Sequence, residues 1–442
     1  MSGYGGKILS ILGRQGHFCE ARIERTETSS TRFKDGELQA DYGTSEGMSV
    51  RVFRGGCWGF ASGEVSELEG LLKRALSLAS LNGGNLKLGR REETGIKASK
   101  GKEGKGMGAD KLCSLCGELK DDMGGRRVKN RGIALIEQIE GEEYYNSLGD
   151  EILQETLVLY GRFSAVGRDG GRAEEGGERF SSLKGWNEDK LFWCAKEAAR
   201  KCEDSLDAKE TVKGEFPVVM DPVLSGVFAH EAIGHASEGD AVIEGTSVLG
   251  ERLGKKVGSE LISIWDDPCL EGGFGKYEYD SEGILGKKVM LLENGVVSGR
   301  MHSIETSAET NEEPNGHARA ESCACSPIVR MSNTCIEPGE SSFEELIEKD
   351  GLYLKGMSGG SVDPFSGQFM FRCEEAFRLE GGEVSGRVRP VALTGTILDT
   401  LHEIEGVGKD FATSPGFCGK DGQSIRVSDG GPHVRLRKMK VG

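Results

Sequence analysis

Two of the seven histidines in the chain, His230 and His235, lie five positions apart, and Glu231 directly follows the first of them. Neutral imidazole is a common ligand of transition metals, and two rings from one short segment can hold half of a tetrahedral zinc shell. A carboxylate beside a ligand can act as a general base toward water, as in the H-E-x-x-H metalloproteases. The segment FAHEAIGH, residues 228–235, therefore predicts a metal site.

The spacing of the two histidines does not suit a straight α-helix. Positions five apart lie about 140° apart around the helix axis, whereas positions four apart lie about 40° apart. A π-bulge inside the motif would bring both rings to one side. Alternatively, the helix ends at Gly234, and His235 comes from non-helical backbone. Two unrelated histidines are the competing interpretation, since H-E-x-x-x-H occurs by chance in roughly one such chain in a hundred.

Two histidines leave a catalytic zinc site incomplete, because such sites usually have three protein ligands and one position for water. The downstream side chains that could supply the third donor are Glu238, Asp240, Glu260, His302, His317, Cys323, Cys325, His402 and Cys418. Spacing does not decide among them. Gly416 and Gly419 favour Cys418, because they predict a tight turn in which backbone can approach a site closely. A free cysteine in a loop is an equally good interpretation.

The elements that must position the two histidines are marked in the sequence. Residues 218–220 predict a short buried strand, and Asp221 and Pro222 predict an N-cap and a proline at the first helical position. The histidines then lie about two turns into a helix that follows a strand. The rest of residues 213–442 is nearly all strands and turns, with strands expected at 288–292, 296–301, 351–355, 368–372, 377–380 and 387–393. Helices are expected there only at 343–349 and 397–403. We therefore expect a β-rich domain with the motif helix packed against it.

Upstream, residues 17–85 predict a small α+β domain of strands followed by a helix. Its hairpins turn at Asp35-Gly36 and at Gly55-Gly56. The helix is expected from Glu64 to the residues before Gly83, where apolar side chains recur at helical spacing. Residues 86–108 are rich in lysine and glycine and poor in apolar side chains, which indicates a solvated linker.

Residues 109–210 predict a middle α+β domain. It has a helix at 110–119, strands at 133–139, 142–146 and 151–163, and a closing helix from Asn187 to about Asp204. The whole chain is then expected to be a multi-domain α+β protein. Its N-terminal α+β units are small, and a larger β-rich C-terminal domain carries the metal-binding helix.

Composition excludes several classes of protein. The formal net charge of −16 argues against a general nucleic-acid binder, which needs a basic face. No apolar run reaches the ~20 residues needed to cross a membrane, and residues 8–12 are too short for a secretory signal. The twelve cysteines lack the regular spacing of a secreted disulfide framework, which favours reduced thiols and a cytoplasmic protein.

Four segments follow one another along the second half of the chain: HEAIGHASEGD at 230–240, WDDPCLEGGFGKYEYDSEG at 265–283, RMSNTCIEPG at 330–339 and GFCGKDGQ at 416–423. In this order they resemble motifs of the TldD/PmbA family of metalloproteases. In the TldD branch of that family the two histidines and the cysteine before Gly-Lys bind zinc, and the glutamate is catalytic. The resemblance therefore implies His230, His235 and Cys418 as Zn²⁺ ligands and Glu231 as the catalytic residue.

The resemblance also implies an activity and partners. These are zinc-dependent hydrolysis of unfolded or small peptides held as an extended strand, and assembly as a homodimer or as a heterodimer with a TldE/PmbA-like subunit. Two other interpretations stay open. One is a non-enzymatic, zinc-stabilised regulatory or binding subunit of a TldD/TldE-type complex, and the other is a metal hydrolase of another bond, such as an amidase. An intact Glu231 favours an enzyme, since a structural zinc site is closed by four protein ligands and needs no base.

Overall fold

The fold consists of β-sheets with helices packed against them. The computed structural model describes residues 5–34, 36–81, 83–89, 95–208 and 210–442. The helices are α1 Gly5–Leu12, α2 Leu68–Ala79, α3 Ala109–Asp122, α4 Glu188–Asp207, α5 Pro222–Ala229, α6 Gly239–Ile243, α7 Ile304–Thr310, α8 Phe343–Ile347 and α9 Ile397–His402. None of the helices in the described ranges is long and apolar enough to cross a membrane. This mixture of helices and sheets confirms the α+β class.

A seven-stranded sheet is formed by the first half of the chain. Its strands are β1 Phe18–Lys34, β2 Glu37–Arg54, β3 Cys57–Gly63, β4 Lys97–Lys100, β5 Val128–Asn146, β6 Glu151–Asp169 and β7 Arg172–Ser182. Their order is β3-β2-β1-β5-β6-β4, and β7 also pairs with β6. Helix α2 packs against β2 and β3, whereas α3 and α4 pack against the strands near β5 and β6. These contacts form two apolar cores, one under α2 and one under α3 and α4.

This sheet extends across the boundary expected between residues 17–85 and 109–210. Strand β1 pairs with β5 along nearly its whole length, from Glu20↔Asn146 to Lys34↔Gly132. The predicted linker contains the short strand β4, which runs parallel to β6. The predicted hairpin joins β1 to β2, although Asp35 lies outside the described residues. The domain boundaries remain a prediction.

Two expectations for the middle strands were wrong. The break expected between 139 and 142 is absent from β5, because Gly141 is paired on both sides, with Arg25 of β1 and Glu155 of β6. Strand β7 was not predicted, because its sequence RAEEGGERFSS has too few apolar side chains to show an alternating pattern.

Residues 213–442 form the remaining sheets. The strands of the nine-stranded sheet are β8 Gly214–Met220, β15 Gly351–Lys355, β16 Gly359–Val362, β17 Gln368–Arg372, β18 Glu375–Glu380, β19 Glu383–Val388, β20 Ala392–Thr396, β21 Ile404–Val407 and β24 Val434–Val441. The six-stranded sheet contains β9 Ile264–Asp266, β10 Val289–Glu293, β11 Val296–Val297, β14 Asn333–Ile336, β22 Ala412–Lys420 and β23 Gln423–Gly431. A two-stranded sheet pairs β12 Ala318–Arg319 with β13 Ile328–Val329.

Helix α5 lies between the two large sheets. The nine-stranded sheet has the order β16-β17-β20-β24-β8-β15-β18-β19, with β21 on β24, and the six-stranded sheet has the order β11-β10-β9-β14-β23-β22. Helix α5 follows β8 and contacts β15 of the first sheet and β14, β22 and β23 of the second. Leu224 and Phe228 are buried in the shared apolar core. The helix is therefore fixed from both sides, which suits a segment that carries a site.

Several smaller expectations can be compared with these elements. Helices α8 and α9 begin at the predicted residues. The strand expected at 387–393 is wrong, because Pro390 lies between the end of β19 and the start of β20. The strand expected at 296–301 is only the two residues of β11, and α7 was not predicted.

Candidate metal centre

The backbone of the motif solves the spacing problem with a π-helical turn. The N–H of Leu224 donates to the Asp221 side chain at 2.9 Å, and Pro222 occupies the first turn, as the sequence predicts. After α5 ends at Ala229, the segment His230–Gly234 is π-helical, and His235–Ser237 is a 3-10 turn. The N–H of His235 donates to the carbonyl of His230, five residues back. The π alternative is therefore the one adopted.

Three predicted site residues lie together. Donor atoms of His230, His235 and Cys418 are all within 4.8 Å of one another. The Cys418 Sγ is 3.4 Å from Nε2 of His235, and the two imidazole rings are nearly perpendicular, at 85°. His230 and Cys418 are buried, and His235 is half-buried. Two segments that are far apart in sequence thus supply three metal-binding side chains to one point.

Cys418 reaches this point from a strand, so the tight turn expected around it is wrong. Strand β22 pairs with β23 as far as Lys420↔Gln423. The turn is formed instead by Asp421 and Gly422, with φ of 51° and 76°. Positive φ at both central residues suits a two-residue hairpin turn. Cys418 therefore lies near the end of β22, which is the edge strand of its sheet.

Each histidine ring faces a carboxylate through Nδ1. For His235, Nδ1 is 3.0 Å from Oε2 of Glu238. For His230, Nδ1 is 2.6 Å from Oδ1 of Asp429 on β23. Carboxylates in this position orient a ligand ring and leave Nε2 for the metal. Glu238 was a candidate ligand in the sequence but contacts the ring of His235 here, and Asp429 was missed because no local spacing connects it to His230.

The charges of these groups shift one another's pKa. Burial raises the pKa of the Cys418 thiol, but the neighbouring charge of His230 and hydrogen bonds with both rings outweigh burial and lower it to about 5. Burial lowers the pKa of His235, but Glu238 and the thiolate outweigh it and raise it to about 10. For His230, Asp429 and Cys418 likewise overcome burial and raise the pKa. These shifts favour a thiolate at Cys418 and protonated rings at His230 and His235.

The donor set fits zinc. One thiolate and two imidazoles are typical zinc ligands, and three protein ligands leave a position for water or substrate. A cation can take the place of the ring protons that balance the thiolate and the two carboxylates. His230, His235 and Cys418 would hold the ion, while Asp429 and Glu238 would orient the rings.

Glu231 directly follows His230 in the π-helical turn and is half-buried. Among the residues that the structure describes, no hydrogen bond or ion pair engages its carboxylate. The other candidate ligands lie outside the cluster. His302 contacts Thr306, and His317 contacts Asp266. Glu260 is an exposed partner of Lys256, Asp240 binds Lys420, and Cys323, Cys325 and His402 likewise lie apart from the three donors.

Two family models match separate parts of this chain. A family model described as "PmbA/TldA metallopeptidase C-terminal domain" matches residues 213–442. A second, described as "PmbA/TldA metallopeptidase domain 1", matches residues 19–79. The first match contains all three donors of the candidate metal centre.

Individual proteins are similar over nearly the whole chain. A "Metalloprotease" from Methanothermobacter thermautotrophicus is 36% identical, with 99% of this chain and 98% of the relative covered. A "Zinc metalloprotease TldD homolog" from Saccharolobus solfataricus is 31% identical, with 96% of each chain covered. The crystal structure of TldE from Thermococcus kodakarensis matches with a TM-score of 0.78 at 19% identity, covering 99% of this chain and 98% of that one. That last likeness concerns the fold alone.

Proposed function

Since the chain belongs to the TldD/PmbA family of metallopeptidases, we propose that it is a zinc-dependent peptidase that hydrolyses unfolded or small peptides. The observation that carries this proposal is the convergence of donor atoms of His230, His235 and Cys418 within 4.8 Å of one another. Glu231 directly follows His230 in the sequence. The name of the Saccharolobus relative, which specifies zinc, also supports the choice of metal.

The number of donors favours a catalytic site over a structural one. A structural zinc ion is closed by four protein ligands, whereas a catalytic one keeps an open position. Within the described ranges the cluster contains three potential ligands. Glu231 supports the same interpretation, because an unpaired, half-buried carboxylate is available to accept a proton.

In this proposal, different residues of the chain have different roles in peptide hydrolysis. A zinc ion bound here supplies Lewis acidity toward a water molecule and the scissile carbonyl. Glu231 takes a proton from the attacking water and delivers it to the leaving amine. Asp429 and Glu238 keep the rings of His230 and His235 oriented through the reaction.

Two edge strands near the site support binding of the substrate as an extended strand. Strand β22, which carries Cys418, pairs only with β23 among the described strands. Strand β16 pairs only with β17 in the same part of the chain, and some of its Cα atoms lie within 8 Å of the π-helical turn. Main-chain pairing with an exposed edge accepts peptides of varied sequence and rejects folded proteins, which offer no free strand.

The family membership and the TldE-like fold support assembly as a homodimer or as a heterodimer with a TldE/PmbA-like subunit. We place the protein in the cytoplasm, in keeping with its twelve free cysteines. With a net charge of −16, nucleic acid is not part of this proposal. The alternative is a non-enzymatic, zinc-stabilised binding subunit of such a complex.

The test is hydrolysis of an unstructured peptide mixture by the purified, zinc-loaded chain, followed by mass spectrometry. Glu231→Gln is the matched variant, because it preserves shape and removes the base. We expect cleavage by the native chain and a loss of at least about 100-fold in the variant, with equal zinc content in both. If neither protein cleaves peptides, also after addition of a TldE-like subunit, the zinc-stabilised binding subunit becomes the better interpretation. Equal cleavage by both proteins would exclude Glu231 as the base.

A further inference from the structure

The candidate metal centre joins two separate segments, and Lys420 connects them. One segment carries His230 and His235 and continues to Glu238 and Asp240, while the other is β22 with Cys418. Because β22 is an edge strand, it pairs with a neighbouring strand on one side only among the described strands. Contacts other than strand pairing therefore help to fix Cys418 relative to both rings. They include the packing of α5 against β22 and a hydrogen bond that Arg330 donates to the carbonyl of Cys418.

The Nζ of Lys420 supplies a further contact, which reaches the segment of Glu238 and Asp240. It lies 2.7 Å from each carboxylate oxygen of Asp240 and 3.2 Å from Oε2 of Glu238. It also donates to the carbonyl of Val329 at 3.1 Å. The lysine side chain is largely buried, with 16% exposure, and that of Glu238 is 2% exposed. Removal of one partner from a buried ion pair costs more than the loss of a surface ion pair, because it leaves a buried charge without compensation.

The same oxygen of Glu238 faces both Lys420 and a metal ligand. Oε2 is 3.0 Å from Nδ1 of His235 and 3.2 Å from Nζ of Lys420. Removing the ammonium would leave the carboxylates of Glu238 and Asp240 together without their shared cation. Glu238 could then move away from the ring that it orients.

We propose that Lys420 is a positioning residue for the metal centre. It fixes Glu238 against His235 and ties the strand of Cys418 to the segment that carries the histidines. The inference rests on the proposed zinc function, but it concerns the geometry and affinity of the site rather than turnover.

The test compares zinc affinity, by competition with a chromophoric chelator, in the native chain and Lys420→Met. Methionine keeps the length of the side chain but removes its charge and donors. We expect the zinc dissociation constant to rise roughly 10- to 100-fold, the usual effect of losing a partner behind a metal ligand. Lys420→Arg, which keeps the charge, should recover part of the affinity. Lys256→Met, at an exposed lysine paired with exposed Glu260, should change nothing.

A second readout separates positioning from general stabilisation. The absorption of the cobalt-substituted protein reports ligand geometry, so Lys420→Met should shift its bands, whereas loss of stability alone would not. If Lys420→Met does not fold, Asp240→Asn loosens the same lysine without touching a ligand and should show a smaller change in the same direction. Unchanged affinity and an unchanged cobalt spectrum in folded variants would overturn the positioning role while the peptidase proposal stands. Failure of the native chain to bind zinc would overturn both.

Discussion

Asp429 is the residue at the site that sequence reasoning had no means to find. His230 and His235 share a recognisable motif, and Cys418 shares one with Lys420, but Asp429 reaches His230 only through the pairing of β23 in the sheet. Its carboxylate lies 2.6 Å from Nδ1 of His230. The three donors that converge were all candidates in the sequence, whereas the contact of Asp429 with His230 depends on tertiary structure.

We predict that Asp429→Asn weakens zinc binding. Asparagine preserves the shape of the side chain but loses the charge that holds the ring of His230, so the zinc dissociation constant should rise roughly 10- to 100-fold. Competition with a chelator measures this. Asp421→Asn is the matched control on the same hairpin, because asparagine tolerates the φ of 51° at that turn. Equal zinc affinity in both variants would show that Asp429 does not support the ligand.

At the scale of elements, the sequence predicted the π-helical turn only as one of two alternatives. The five-residue spacing excluded a regular helix, yet it allowed either a π-turn or an early helix end. At Gly234, the π-helical turn packs closely against the side chain of Met331. A Cβ built at this position would lie 2.0 Å from Sδ of the buried Met331. The close approach of the turn to Met331 therefore requires glycine, and that requirement is visible only in three dimensions.

We predict that Gly234→Ala destabilises the fold and disturbs the histidine spacing. Overpacking of this kind costs about 1–3 kcal/mol of unfolding free energy, measurable by urea denaturation. Combining Gly234→Ala with Met331→Ala should cost less than the sum of the two single changes, since the space left by Met331 accepts the new methyl group. Gly386→Ala, at an exposed strand position with no atom within 4 Å, is the control and should be near neutral. Strict additivity of the two changes would show that the contact with Met331 is not what selects glycine.

Sequence patterns predicted some of the strands and missed others. Strands β15 and β17 match their predicted ranges. Each has a run of apolar and aromatic residues at its centre, LYL or FMF, and the structure buries every second residue of the strand. Strand β22 was missed as a strand, because its sequence ATSPGFCGK has two glycines, a proline and little alternation. It is stabilised instead by pairing with β23 along nine residue pairs. Local patterns thus identify strands that bury one face, and they miss an edge strand whose pairing is its main support.

At the scale of the whole molecule, the N-terminal sheet and the C-terminal domain meet through buried charges. Arg51 of β2 contacts Glu20 at 2.6 Å and Glu282 of the C-terminal domain at 2.5 Å. Arg22 of β1 donates to the carbonyl of Ser322 at 2.6 Å. Such pairs join residues up to 300 positions apart, which no pattern in the sequence indicates. They bind the sheet to the domain that carries the metal centre.

This interface also contains a buried carboxyl group, that of Glu142, whose negative charge is only partly balanced by neighbouring cations. We therefore expect the stability of the protein to depend on pH. Oε1 of Glu142 on β5 is enclosed and has no hydrogen-bond partner in the described part of the chain. Burial raises the pKa of Glu142, the charges of Glu24 and Glu140 add to this, and Arg22 and Arg426 only partly oppose it, so that the pKa is about 7. The folded state therefore favours the protonated form. Its contribution to stability is present below the ordinary glutamate pKa near 4.5 and is lost as the pH rises through about 7.

We predict that Glu142→Gln, which mimics the protonated form, stabilises the protein at alkaline pH. The gain in unfolding free energy should be on the order of 1–3 kcal/mol at about pH 8.5 and should shrink toward about pH 5, where the native glutamate is already largely protonated. Urea denaturation at both pH values measures the difference. Glu37→Gln, at an exposed position of β2, is the matched control and should show no such dependence. A gain for Glu142→Gln that is the same at both pH values would mean that packing, and not the charge at this interface, accounts for it.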